Sequence, residues 1–63
     1  MGPKEFGTRV TYYMEQVARE EAARIGFDMQ KEPSALFRML MTVMASESLR
    51  AEALRRFKEE EDA

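Results

Sequence analysis

The chain has no cysteine, histidine or tryptophan, and only two prolines and three glycines among its 63 residues. Each shortage excludes something. Without cysteine there is no disulfide, and without cysteine or histidine a zinc site of the usual kind is not expected. A domain of this length buries only about 60% of the surface that its unfolded chain exposes, so it is marginal by itself. The stabilising devices left are oligomerisation or unusually good helix packing, and oligomerisation is the simpler.

Catalytic chemistry is equally short of material. The acid–base candidates are Glu15, Glu20 and Glu21, and their spacing to Arg19 and Arg24 is that of helix-supporting ion pairs on a solvated face. There is no glycine-rich phosphate loop and no carboxylate cluster spaced for a metal. The chain is expected to be no enzyme and to need no cofactor.

Long apolar runs are also missing. No stretch is long enough to span a bilayer, and Met1-Gly2-Pro3-Lys4-Glu5 does not resemble a signal peptide. Phe6 stands where myristoylation expects serine or threonine. With the absence of cysteine, these features predict a soluble cytoplasmic protein, nucleoid-associated or acting in an infected host cell.

The formal net charge is −2, from twelve acidic and ten basic residues. Four of the acids, Glu59-Glu60-Glu61-Asp62, are consecutive at the end of the chain, and setting them aside leaves eight acids against ten bases, a body of +2. That distribution removes an objection to nucleic acid without making a basic footprint. Residues 59–63 read as an acidic tail, a solvated, fraying helix end, to a single dimerising domain that spans 1–63.

What is present is helical patterning punctuated by Gly26 and Pro33. From Met14 to Ile25 the apolar residues Met14, Val17, Ala18, Ala22 and Ile25 recur at helical spacing, and Gly26 is placed to end this first helix, with Phe27 available to fold back on its last turn. Pro33 suits the first position of a second helix running to Ala45. In that helix Leu36, Phe37, Met39, Leu40, Met41, Val43 and Met44 point in most directions, and only Arg38 and Thr42 mark a polar line. A helix apolar nearly all round needs more cover than one small chain supplies. Its methionines read as packing residues, and Arg38 as a structural partner of a carboxylate or carbonyl.

Ser46-Glu47-Ser48 offers caps for a third helix, with a break there preferred over one continuous helix from Pro33 to Lys58. In the third helix Leu49, Ala53, Leu54 and Phe57 form an apolar stripe, available to a protein partner. The N-terminal segment supports two readings. As a strand, Phe6, Thr8, Val10 and Tyr12 face one way and Glu5, Gly7, Arg9 and Thr11 the other; as a helix, Val10, Tyr13, Met14 and Val17 form a stripe with Thr8 as cap.

Taken in its strand form, the order strand, helix, Gly26, connection and a helix opening Ser34-Ala35-Leu36-Phe37-Arg38 resembles the ribbon-helix-helix family of DNA-binding proteins, of the MetJ and Arc type. The resemblance covers about Glu5 to Met44. It implies a mostly α fold, a ribbon-helix-helix with one short N-terminal strand and an added C-terminal helix, assembled as an intertwined homodimer. The paired strands would enter the major groove of double-stranded DNA as a repressor-type transcriptional regulator. It further implies base contacts by Gly7, Arg9 and Thr11, phosphate contacts by Lys4, Lys31, Ser34 and Ala35, and a dimer interface of Val10, Leu36, Phe37, Leu40, Met41, Val43 and Met44. The alternative is an all-α helical hairpin forming a dimeric bundle, an adaptor or inhibitor of another protein. A hybrid, an antitoxin-type repressor, would bind a toxin through the third helix.

Overall fold

The computed structural model describes residues 3–31 and 34–62, with side chains from residue 7 onward. Its elements are α1 (Pro3–Ile25), α2 (Ala35–Ala45) and α3 (Glu47–Asp62). No strand occurs among the described residues. The all-α content of the expectation therefore stands and the N-terminal strand is corrected: residues 5–12 lie inside α1, which also encloses Thr8, the cap of the helical reading. The physical reason is what each conformation can satisfy. A lone strand leaves its backbone N–H and C=O groups unpaired, whereas the helix pairs them internally and turns Tyr13, Met14 and Val17 together onto the core.

At 1.5 Å per residue the 23 residues of α1 extend about 35 Å, matching the 36 Å long dimension of the molecule. The two shorter helices pack along it and against each other. The core holds Val17, Ala18 and Ala22 from α1, Met39 and Val43 from α2, and Ala53 from α3. Ala18, Ala22, Ala35 and Ala53 are all buried, so the helix axes approach over small side chains. Such a core is thin: Val43 is the largest fully buried side chain among the described residues. Tyr13, Met14, Phe27, Met29, Leu40 and Leu49 close its sides.

Helix α1 stops where expected. Gly26 takes a φ of +76°, Phe27 N–H donates to the Ala22 carbonyl at 2.8 Å, and Gly26 N–H donates to Ala23 at 3.3 Å. That pair of bonds is a Schellman ending, which favours glycine because a side chain is strained at positive φ. Phe27 folds back onto the core, and the Arg38 guanidinium sits 5.8 Å from its ring centroid. Ile25, expected on the buried stripe, is instead 52% exposed, because it lies on the outer side of the last turn.

The corner between α2 and α3 is a single residue. Ser46 is extended (φ −101°, ψ 116°), and its N–H closes α2 on the Thr42 and Val43 carbonyls at 3.1 and 3.2 Å. Its Oγ accepts the Leu49 N–H at 3.3 Å and its carbonyl accepts the Arg50 N–H at 3.0 Å, which opens α3. The break expected near Ser46–Ser48 is thus present. Arg50 also donates to the Met44 carbonyl, satisfying a third acceptor at the end of α2.

Residues 59–62 form the solvent-exposed last turn of α3. Glu60 accepts a hydrogen bond from Arg9, and Glu61 lies 3.6 Å from the same guanidinium. This cation in the N-terminal half of α1 draws in the carboxylates at the end of α3.

Candidate functional site: an exposed apolar face on α2

Helix α2 has two apolar sides. Ala35, Met39 and Val43 face inward and are 0%, 3% and 0% exposed. On the opposite side Phe37, Met41 and Met44 are 67%, 54% and 54% exposed. The spacing 37, 41, 44 is that of one continuous helical stripe, and half-buried Leu40 flanks it. Arg38 and Thr42 also face outward, as expected, with the Thr42 hydroxyl donating to the Arg38 carbonyl at 3.1 Å. No acidic residue lies on α2.

The stripe runs at its C-terminal end into a groove between the three helices. This groove of about 190 Å³ is lined by Val10 and Met14 of α1, Met44 of α2, and Arg50, Ala53 and Leu54 of α3. Leu54 is 50% exposed at its edge. Four of the large exposed apolar side chains thus border one continuous surface, the arrangement that marks a contact site on a small protein.

Of the residues expected at a dimer interface, Phe37, Met41 and Met44 are open to solvent and Val10, Leu36 and Leu40 are partly so. Val43 is corrected: it is spent on the chain's own core. The third-helix stripe is corrected likewise. Ala53 and Phe57 are 1% and 8% exposed and Leu49 packs against the core, so only Leu54 is presented outward. Amphipathic spacing identifies a stripe without saying what covers it, and here α1 covers it.

The residues expected to meet DNA do not converge. Positions 7, 9 and 11 share a face in a strand, but in a helix successive members turn by about 200°. Thr11 donates to the Gly7 carbonyl at 2.8 Å on one side of α1, while Arg9 engages Glu60 and Glu61 on another. Arg9 borders a second cavity, of about 530 Å³, with Thr8, Tyr12, Tyr13 and Glu60. Its two tyrosine rings meet edge to face at 5.1 Å.

Among the expected phosphate contacts, Ala35 is fully buried and Ser34 makes no side-chain cap bond at the start of α2. Lys31 is a solvated loop lysine, 3.9 Å from Asp28 and 84% exposed at its side chain. The connection around it is shaped by Asp28, whose carboxylate accepts the Gln30 N–H at 2.9 Å. The side chain of Lys4 lies outside the described residues.

One cluster was missed by sequence reasoning. Arg56 of α3 reaches across to α1, donating to both Glu20 oxygens at 2.6 and 2.7 Å and to Gln16 at 3.0 Å, and it also bonds Glu52 at 3.0 Å. The guanidinium holds the Glu20 carboxyl below its ordinary range, chiefly through these hydrogen bonds. Arg55 and Arg56 together bring Glu52 from 4.5 to about 2. Arg56 sits in the charged flank of α3 at helical offsets from Glu52, a signal that indicates a local pair and not a link to another helix.

These carboxylates are engaged in ties between and along helices. No helix of the described residues is long and apolar enough to cross a membrane. Comparison with protein-family models, with curated proteins and with solved structures finds no match for this chain.

Proposed function

We propose that this chain is a non-catalytic helical interaction module, an adaptor or inhibitor that works by laying the outer face of α2 against another helical surface. The observation that carries the reading is the exposure of Phe37, Met41 and Met44 in one line on a helix whose other side already fills the core. Leaving three such side chains in water forgoes burial worth about 1.5–3 kcal/mol for each of them if fully covered, so a partner surface is favoured. Methionine fits that role, because its unbranched thioether side chain adapts to the shape it meets.

The DNA-binding reading depends on a two-stranded ribbon. With residues 5–12 in α1 that ribbon has no strand to be built from, and Arg9, its main base-reading candidate, is engaged by two glutamates. The α-helical alternative keeps the methionine-bearing outer face of α2.

A paired experiment separates the two readings. Affinity capture with the wild type and with a Phe37→Glu, Met41→Glu variant of equal helicity is expected to yield a protein partner for the wild type alone. Anisotropy with labelled duplex DNA is expected to show only weak, salt-sensitive background. Nanomolar duplex binding that is lost on Arg9→Ala overturns the proposal.

A further inference from the structure

We propose that the face of α2 is the interface of a two-fold dimer, in which Phe37 of each copy enters the apolar groove beside Met44 of the other. The inference rests on the interaction-module reading and names the first occupant of its surface. Phe37 and Met44 are seven residues apart, so they lie within about 20° of each other around the helix and about 10 Å apart along it. A projecting ring at one end of a stripe and a recess at the other end make that stripe self-complementary. Rotation by half a turn about an axis between Leu40 and Met41 places position 37 over 44 and position 44 over 37 at once. A two-fold interface has this property, since a contact from one residue to another is repeated in reverse.

The sizes agree. A dry apolar cavity of about 150 Å³ accepts a benzene ring. The groove here is about 190 Å³, and its helical walls are apolar except for Arg50, whose guanidinium is turned to the Met44 carbonyl. The exposed parts of Phe37, Met41, Met44 and Leu54 amount to roughly 100 Å² each, or about 400 Å² per copy, near half of the ~800 Å² that each partner gives to a stable interface and so close to its apolar share. A foreign helix would have to supply both a ring and a recess in the same register. A second copy supplies both by symmetry.

The test uses the full chain, which contains no cysteine to interfere. Sedimentation equilibrium is expected to find a dimer, and Phe37→Ala, a change at an exposed position, to weaken it by about 30-fold or more as the ring that fills the partner's groove. Arg19→Ala, on α1, is expected to leave it unchanged. Register is read by oxidation of single-cysteine variants. In the antiparallel arrangement Met41→Cys lies beside the axis and cross-links readily, whereas two copies of Met44→Cys stand about 10 Å apart along the helices and do not. A parallel pairing cross-links both, and that result overturns the proposal. A wild type that sediments as a monomer at roughly 500 µM overturns it as well. So does a dimer indifferent to Phe37→Ala. None of these results bears on the DNA titration, so the interaction-module reading stands or falls separately.

Discussion

Helices α2 and α3 lay one side each on the same core and differ in what they show to solvent. The outer surface of α3 is a lattice of opposite charges. Arg55 pairs with Glu52 and Glu59, and Arg56 with Glu52 and with Glu20 of α1. The outer surface of α2 has Phe37, Met41 and Met44 in the corresponding place. Both helices obey the same rule on their inner side, where Met39, Val43, Ala53 and Phe57 are buried. The difference teaches that folding of the single chain explains α3 apart from Leu54 and α2 only by half, and the unexplained half is where function is to be sought.

The sharpest way to break this comparison is to truncate the same residue type on the two surfaces. Phe57→Ala removes a ring that is 8% exposed, and a loss of about 3–5 kcal/mol is expected, enough to unfold much of so small a domain at 37 °C. Phe37→Ala removes a ring that is 67% exposed, and the isolated chain is expected to change by only about 0.5 kcal/mol or less. Urea unfolding at a concentration below self-association measures both. Equal losses would mean that Phe37 packs within its own chain and that the outer face of α2 is not free.

The charged surface is sharpened by acid. Glu20, Glu21 and Glu52 all have folded-state values below the ordinary 4.5, Glu52 at about 2. A carboxylate whose value is depressed by folding contributes stability that is present above 4.5 and is lost as pH falls through the folded value. Thermal midpoints are therefore expected to hold between pH 7 and 5 and to decline from about 4.5 toward 2. Arg56→Met should flatten that decline, since Glu20 then loses its partner on α3. High salt should weaken the same ties, which are largely solvent-exposed. The apolar face carries no titrating group of this kind, so self-association in the range of pH 5–8 is expected to stay constant.

Much of the fold was legible in the sequence, and the reasons are local. Gly26 announced the end of α1 because the backbone there needs positive φ, and Ser46 announced the corner because its hydroxyl can cap the next helix. The excess of apolar residues between Ser34 and Ala45 was visible by inspection. What could not be read was direction. Residues 6–12 carry an alternation that suits a strand and a stripe that suits a helix, and the choice was made by the core, onto which Tyr13 and Met14 pack. The division of α2 into Met39 and Val43 inside and Met41 and Met44 outside was fixed by where α1 lies. The tie from Arg9 to Glu60 and Glu61 spans some fifty positions, beyond any local pattern.

Between the two surfaces stands the corner that joins them. Ser46→Ala is expected to cost about 1 kcal/mol, because it removes the acceptor that the Leu49 N–H uses at the start of α3. Ser46→Asp should recover most of the loss. Chemical denaturation of the three chains measures the order, and an alanine variant as stable as the wild type would show that the backbone bonds from Ser46 to Thr42 and Val43 hold the corner unaided.

The smallest expected effect lies at Gly7, and it bears on the region where strand and helix readings competed. Gly7 is helical and exposed, has no positive φ, and a Cβ added there meets nothing within 4 Å. Alanine in its place should stabilise the chain by about 0.5–1 kcal/mol, since glycine loses more backbone freedom on entering a helix and no contact opposes the added methyl. Val10, one turn on, lines the groove beside Met44, so a stiffer α1 also steadies one wall of the proposed recess without altering its lining. Denaturation should thus report a modest rise in stability while the dimer dissociation constant moves little. A rise in stability accompanied by weaker self-association would place Gly7 itself in contact with the second copy.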